Sequence, residues 1–217
     1  MKRFVYSAAI FIVLAIIVVL GIKSDHRQPS TQSISISTST VATTTDTYTI
    51  NLSYPVFGIA QADSQVQAVV DKAVGDFEAL PPNPTPIAAK NELDGQYEVI
   101  NSGPDIFSVK MYIYQFTGGA HGATAAYGLN FHPDGSAVSL NEALGLIGKD
   151  LPQVSEEASK QLNDRFGLVQ IPDGVAPSKE NYATFIIGAS TVRFIFQQYQ
   201  AEAYAAGMPE IEFPRVK

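Results

Sequence analysis

The sequence predicts an α+β domain, a mostly antiparallel sheet with two main helices, carried behind one N-terminal transmembrane helix and a Ser/Thr-rich tether. Three observations predict it. Short runs alternate apolar and polar residues with period two, and Pro, Gly and Asp turns separate them. Two longer segments carry a single apolar stripe at helical spacing. Residues 4–22 form an unbroken apolar run between basic ends.

That run follows Met1, Lys2 and Arg3 and stops at Lys23. As a helix it is roughly 28 Å long, close to the ~30 Å of a bilayer's hydrocarbon core. The competing reading is a cleaved signal peptide, whose apolar core is usually ~7–15 residues and ends in a small-residue cleavage site. The length of the run, and the absence of an A-x-A pattern before Lys23, favour a retained anchor. Charge bias across the span is weak, since Lys23 and Arg27 follow it, with Asp25 between them. Orientation rests instead on residues 28–47, which are rich in Ser and Thr and carry no acidic charge until Asp46. Such a stretch buries too little apolar surface to fold and reads as a flexible tether. The expected layout is therefore residues 1–27 as short N-terminus and anchor, 28–47 as linker, and 48–217 as one extracytoplasmic domain with parts 48–100 and 101–217. The expected location is the cell membrane, crossed once.

Within the domain, residues 48–54 alternate and predict a strand with Tyr48, Ile50, Leu52 and Tyr54 on one face. Residues 63–80 place Val66, Val69, Val70, Ala73, Val74 and Phe77 on one helical stripe, with Asp63 or Ser64 as cap. Pro81, Pro82, Pro84 and Pro86 end it. Residues 95–101 and 106–116 predict strands; in the second, Phe107, Val109, Met111 and Ile113 share a face. A glycine-rich connection, 117–122, leads to strands at 124–131 and 137–140, separated by the Pro133-Asp134-Gly135 turn. A second helix spans 151–166, with Pro152 in its first turn and Gly167 at its C-cap. Residues 183–187 and 191–196 form a hairpin about Gly188, and 211–213 a final short strand.

The sequence has no cysteine, which excludes disulfides, thiolate metal sites and cysteine nucleophiles. The net charge is −7, of which residues 1–27 contribute +3, leaving −10 on residues 28–217. So acidic a domain is unsuited to nucleic acid and suited to a basic partner, although acidity also serves solubility. His26, His121 and His132 are the three histidines, and none lies in a metal-ligand spacing such as H-E-x-x-H. The Gly118-Gly119-Ala120-His121-Gly122 stretch lacks the lysine of a phosphate loop and leads into a strand; a tight turn with φ > 0 explains its glycines. No G-x-S-x-G elbow is present. No catalytic residue, cofactor or metal site is predicted. Residues 199–207 (YQAEAYAAG) set two tyrosines among small residues, which suits a binding loop but is better explained as a loop pinned by aromatic packing.

Phe116-Thr-Gly-Gly-Ala-His-Gly122, followed by Tyr127, Asn130, Phe131 and Gly135, resembles the signature of the bacterial domain of unknown function numbered 3298. Residues 199–214 resemble that family's closing segment, and 48–80 are similar to its partner domain numbered 4163. The combination resembles the RsiV/PdaC-type extracytoplasmic domain. In that group, one kind of member is a membrane anti-sigma factor whose outer domain binds lysozyme. Another is a peptidoglycan N-acetyl deacetylase carrying these domains ahead of its catalytic domain. The resemblance implies a cell-envelope binding module for a lysozyme-like basic protein or peptidoglycan. Neither activity is implied: only Met1 to Arg3 precede the span, and no metal-binding catalytic domain is seen. Glu202 and Ala203 also depart from the family's usual Ala and Pro. The expected ligand-binding residues are Thr117, Gly118, Gly119, His121, Gly122, Tyr199, Tyr204 and Gly207. The alternatives are a small wall hydrolase or deacetylase-related enzyme using His121 with a carboxylate, and a structural envelope module without a ligand.

Overall fold

Two sheets stacked between helices form the domain. The computed structural model describes residues 34–82 and 90–216. The larger sheet has strand order β1-β2-β3-β4-β5, with β1 Ser37–Thr44, β2 Tyr48–Val56, β3 Asn91–Ser102, β4 Phe107–Phe116 and β5 Ala123–Phe131. All its pairings are antiparallel except β2 with β3. A parallel pair needs a crossover, and helix α1, Ala60–Glu78, supplies it. The α1 stripe predicted from sequence is the face that packs: Val66, Val70 and Phe77 are buried against Ile50, Leu52, Leu93, Val109 and Met111.

After β5 come α2, Leu140–Ile147, and α3, Leu151–Phe166, and then a three-stranded antiparallel sheet of β6 Phe185–Ile187, β7 Thr191–Ile195 and β8 Glu210–Pro214. Phe185, Ile187, Phe194, Ile211 and Phe213 join Val154, Ala158 and Leu162 of α3 in a second core. Ile186 and Ile195 pack with Ala126 and the half-buried Tyr112 of the larger sheet. Polar atoms also bind the two sheets. Lys110 of β4, buried, meets Glu210 of β8 at 2.6 Å, and Glu210 also holds Arg193 of β7 at 2.8 Å. Gly128 lets the sheets close up, because a Cβ there would stand 1.8 Å from the Phe185 carbonyl oxygen.

The expected α+β class with a mostly antiparallel sheet holds. Several boundaries differ for physical reasons. Residues 37–44 are a strand, not tether: Thr-rich, β-branched sequence suits an edge strand, and Val41 and the nearby Ile34 and Ile36 pack against the core. The linker expected at 28–47 therefore ends before β1, and residues 28–33 lie outside the described residues, as does the apolar run 4–22. Among the described residues, no helix is long and apolar enough to cross a membrane.

The expected strand at 137–140 is not formed. Only Ala137 bridges to Phe131, and the chain then enters α2, making three α-helices among the described residues where two main ones were expected in the domain. The missed signal was a capping box: Ser139 accepts from the Glu142 amide while the Glu142 side chain returns to the Ser139 amide. Helix α1 begins three residues early, and Asp63 does not cap it; its carboxylate accepts instead from the Phe57 amide at 2.7 Å. Helix α3 has the expected bounds, with Pro152 in its first turn, Gly167 at its C-cap, and an Asp150–Gln153 capping box.

Candidate functional site

Strands β4 and β5 are joined by residues 117–122, and this turn stands out from the end of the larger sheet. Gly118 and Gly119 have φ of 97° and 95°, the left-handed backbone expected of them. Gly122, at the end of the turn, is buried under the Tyr114 ring; a Cβ on it would lie 2.4 Å from that ring. Thr117 and His121 remain exposed.

The second expected segment folds back onto this turn. After β7 the chain passes Tyr199, enters a short 3-10 turn, Tyr204–Ala206, and leaves through Gly207 at φ 70°. The His121 and Tyr204 rings stack, with centroids 3.9 Å apart and planes 24° from parallel. Both bind one acceptor: His121 Nδ1 lies 2.9 Å from the Gly122 carbonyl oxygen, and the Tyr204 hydroxyl donates to the same oxygen at 3.1 Å. A carbonyl only accepts, so Nδ1 carries the proton, and Nε2 has no partner among the described residues. Tyr199 lies 5.7 Å from Tyr204, is 54% exposed, and adopts φ 63°. A tyrosine in the left-handed region costs about 1–3 kcal/mol, and such strain gathers at functional sites. The eight expected residues thus belong to two loops that the fold brings together, with His121, Tyr199 and Tyr204 forming an aromatic ledge.

Beneath the turn, on the α1 side of the sheet, lies a groove of about 390 Å³. Thr117, His121 and Gly122 line it with Asp76, Gln115 and Tyr127. Burial pushes the Tyr127 phenol up, and Asp76 adds to this, while the nearby Lys72 ammonium opposes it. No hydrogen bond or ion pair joins His121 to Asp76, and among the described residues no group of three or more His, Asp or Glu could hold a metal ion. His132, the other histidine in the domain, is bound elsewhere, 3.0 Å from Glu142.

Sequence reading missed the glutamines that hold the ledge in place. Gln197 donates to the Ala126 carbonyl at 2.8 Å and accepts from the Ala126 amide at 2.9 Å, as a neighbouring strand would. Gln198 accepts from the Thr124 amide at 2.8 Å. These side chains close the outer edge of β5 and fix the approach to Tyr199. Two consecutive glutamines after a strand carry no periodic signal, so only the fold shows their role.

Comparison with known proteins bears on the fold and the family likeness. Residues 41–124 match the family model described as deacetylase PdaC, and residues 138–215 match the protein family of unknown function DUF3298. The chain is thus similar to a PdaC-type domain in its first part and to a DUF3298 domain in its second. The PdaC-type part supplies His121, and the DUF3298 part supplies Tyr199 and Tyr204. The glycine-histidine signature likened above to the 3298 family therefore lies in the PdaC-type stretch. The chain is 25% identical over 172 residues to the peptidoglycan-N-acetylmuramic acid deacetylase PdaC of Bacillus subtilis, covering 76% of this chain and 37% of that protein. It thus spans little more than a third of that relative. A DUF3298 family member from Bacteroides fragilis has the same fold, with a TM-score of 0.55 at 17% identity over 84% of this chain and 90% of that one. A DUF3298 family protein from Pseudomonas aeruginosa gives 0.50 at 16% identity, over 84% and 92%.

Proposed function

We propose that this chain is a membrane-anchored, extracytoplasmic binding module of the bacterial cell envelope, and that the ledge of His121, Tyr199 and Tyr204 is its ligand-contacting surface. The observation that supports it most is the stacking of His121 on Tyr204 from the two matched families, with a strained, exposed tyrosine beside them. Aromatic rings held by the backbone offer large contact area at little entropic cost. The apolar run 4–22 would hold the domain at the membrane, facing the wall.

The favoured ligand is a basic, lysozyme-like protein. The charge of −10 on residues 28–217 would speed its encounter and make binding fall with salt. Peptidoglycan is the second reading, and the relative named as a peptidoglycan deacetylase favours it. Pull-down of lysozyme by the full chain at low and high salt, beside co-sedimentation with insoluble peptidoglycan, separates the two. Tyr204→Ala should abolish whichever is real. Retention of neither ligand by the folded protein would refute the proposal.

A further inference from the structure

The smaller sheet covers only part of the larger sheet's outer face. Where cover ends, the side of the sheet away from α1 opens into a groove of about 590 Å³, within the range of small-ligand sites. Its floor is set by strand register. Asn51 pairs with Asp94, Asp94 with Tyr114, and Tyr114 with Thr124, giving one row across four strands. Gln96 opposite Tyr112 forms the next row. At ~4.8 Å between strands the first row is about 14 Å long, the span of a short oligomer rather than a single small molecule.

The lining has a consistent chemistry. Asn51, Asp94 and Gln96 are exposed, and their side chains have no hydrogen-bond partner among the described residues. Planar amide and carboxylate groups with free donors and acceptors sit beside two tyrosine rings. Tyr114 is pinned from behind by Gly122, and Tyr112 by the Lys110 ammonium at 5.1 Å. Rings and amides fixed before binding lose little entropy when a ligand arrives. Asp94 is the one charged residue in the lining, so nothing there offers a cation to a phosphate or carboxylate ligand. Three polar side chains make it a poor berth for a lipid tail.

We infer that this groove binds a neutral oligosaccharide, with Tyr112 and Tyr114 under the sugar rings and Asn51, Asp94 and Gln96 taking hydroxyl and acetamido groups. The site is separate from the aromatic ledge and does not depend on what the ledge binds.

Isothermal titration of the full chain in detergent micelles tests this, using chitotetraose, cellotetraose and a tetragalacturonate as probes. Chitotetraose should bind, cellotetraose should bind more weakly for want of acetamido groups, and the acidic oligomer should not bind. Asn51→Ala and Gln96→Ala, both at exposed positions, should each weaken chitotetraose with the melting temperature unchanged. Tyr114→Ala should weaken it by about tenfold or more, as truncation of a buried aromatic anchor does. Tyr204→Ala should leave it untouched, although it abolishes ligand capture at the ledge. The inference is overturned if neither neutral sugar binds, if the acidic oligomer binds best, or if sugar binding survives Asn51→Ala and Gln96→Ala but is lost with Tyr204→Ala.

Discussion

The charge cluster between the sheets predicts an asymmetry that a count of ion pairs would miss. Lys110 and Glu210 are partners at 2.6 Å, yet removing one should not cost the same as removing the other. The Lys110 side chain is 6% exposed, and its second carboxylate, Glu98, is 3.8 Å away and 63% exposed. In Glu210→Ala the ammonium would stay buried with only this weak partner. Breaking a buried pair so that a charge is left behind costs about 3–5 kcal/mol. In Lys110→Met the stranded group is Glu210, which is 24% exposed and still held by Arg193 at 2.8 Å. Met fills the volume of the lysine stem, so the loss should be about 1 kcal/mol, the scale of one hydrogen bond. For a domain of this size, 1 kcal/mol shifts the melting temperature by about 2–4 °C. Circular dichroism melts should therefore place Glu210→Ala about 4 °C or more below Lys110→Met. Adding Lys110→Met to Glu210→Ala should recover part of the loss, because the uncompensated charge is gone. The same cluster acts on titration. Burial favours the neutral amine, but the ammonium's hydrogen bonds to Glu210 and Tyr112 outweigh it, and the Lys110 pKa is raised. A raised folded value gives stability that is complete below the unfolded pKa and lost as pH rises through the folded one. Wild type should thus lose its advantage over Lys110→Met only in strong alkali. Equal melting temperatures for the two single variants, or a lower one for Lys110→Met, would refute the reasoning.

Other perturbations have equally definite outcomes. Gln197→Ala removes both bonds to Ala126 and one to Thr184, so it should cost about 1–3 kcal/mol and expose the β5 edge; sedimentation velocity should then show self-association absent from wild type. Phe107→Ala empties a site packed by Phe57 at 4.8 Å and Phe131 at 5.4 Å, and should cost about 3–5 kcal/mol in urea unfolding. Bonds from Ser139 and then His132 hold the Glu142 carboxyl below its usual range, so its contribution is present above the unfolded pKa and lost as pH falls through the depressed folded one. Glu142→Gln should accordingly be less stable than wild type at pH 7 and indistinguishable from it in strong acid, as read by thermal melts across pH.

Much of the fold was legible because burial imposes periodicity. The α1 stripe, the alternation of β4 and the caps of α3 are local consequences of which face is buried, and they appear where the sequence places them. Errors arose where a local pattern had two solutions. Ser/Thr-rich sequence reads as tether when solvated and as an edge strand when a neighbour offers Tyr48–Val56 to pair with; only tertiary context decides. Residues 137–140 alternate, yet the Ser139 cap commits the chain to a helix one residue later. Local pattern likewise gave no hint that the last three strands would leave the main sheet and form their own. The candidate site was legible only as two loops. Their meeting, and the glutamines that hold it, depend on contacts more than seventy residues apart in sequence, such as the Tyr204 hydroxyl on the Gly122 carbonyl.

The two family models divide the chain near β5, one ending at 124 and the other beginning at 138, yet physically that strand is what joins them. β5 pairs with β4 on one side. Its other edge is closed by Gln197 and Gln198, and Asn130 inserts into β6, donating to the Phe185 carbonyl and accepting from the Ile187 amide. The described residues, 34–82 and 90–216, accordingly belong to one compact unit. The aromatic ledge needs both halves, since His121 belongs to one and its stacking partner Tyr204 to the other. The PdaC-type stretch alone, ending at residue 124, would lack most of β5 and leave His121 without its stacking partner. A DUF3298 domain alone would leave Ile186, Ile195 and the Arg193–Glu210 pair facing solvent. The proposed binding at the ledge would therefore depend on the docking of the two sheets, which the Lys110–Glu210 contact helps to secure.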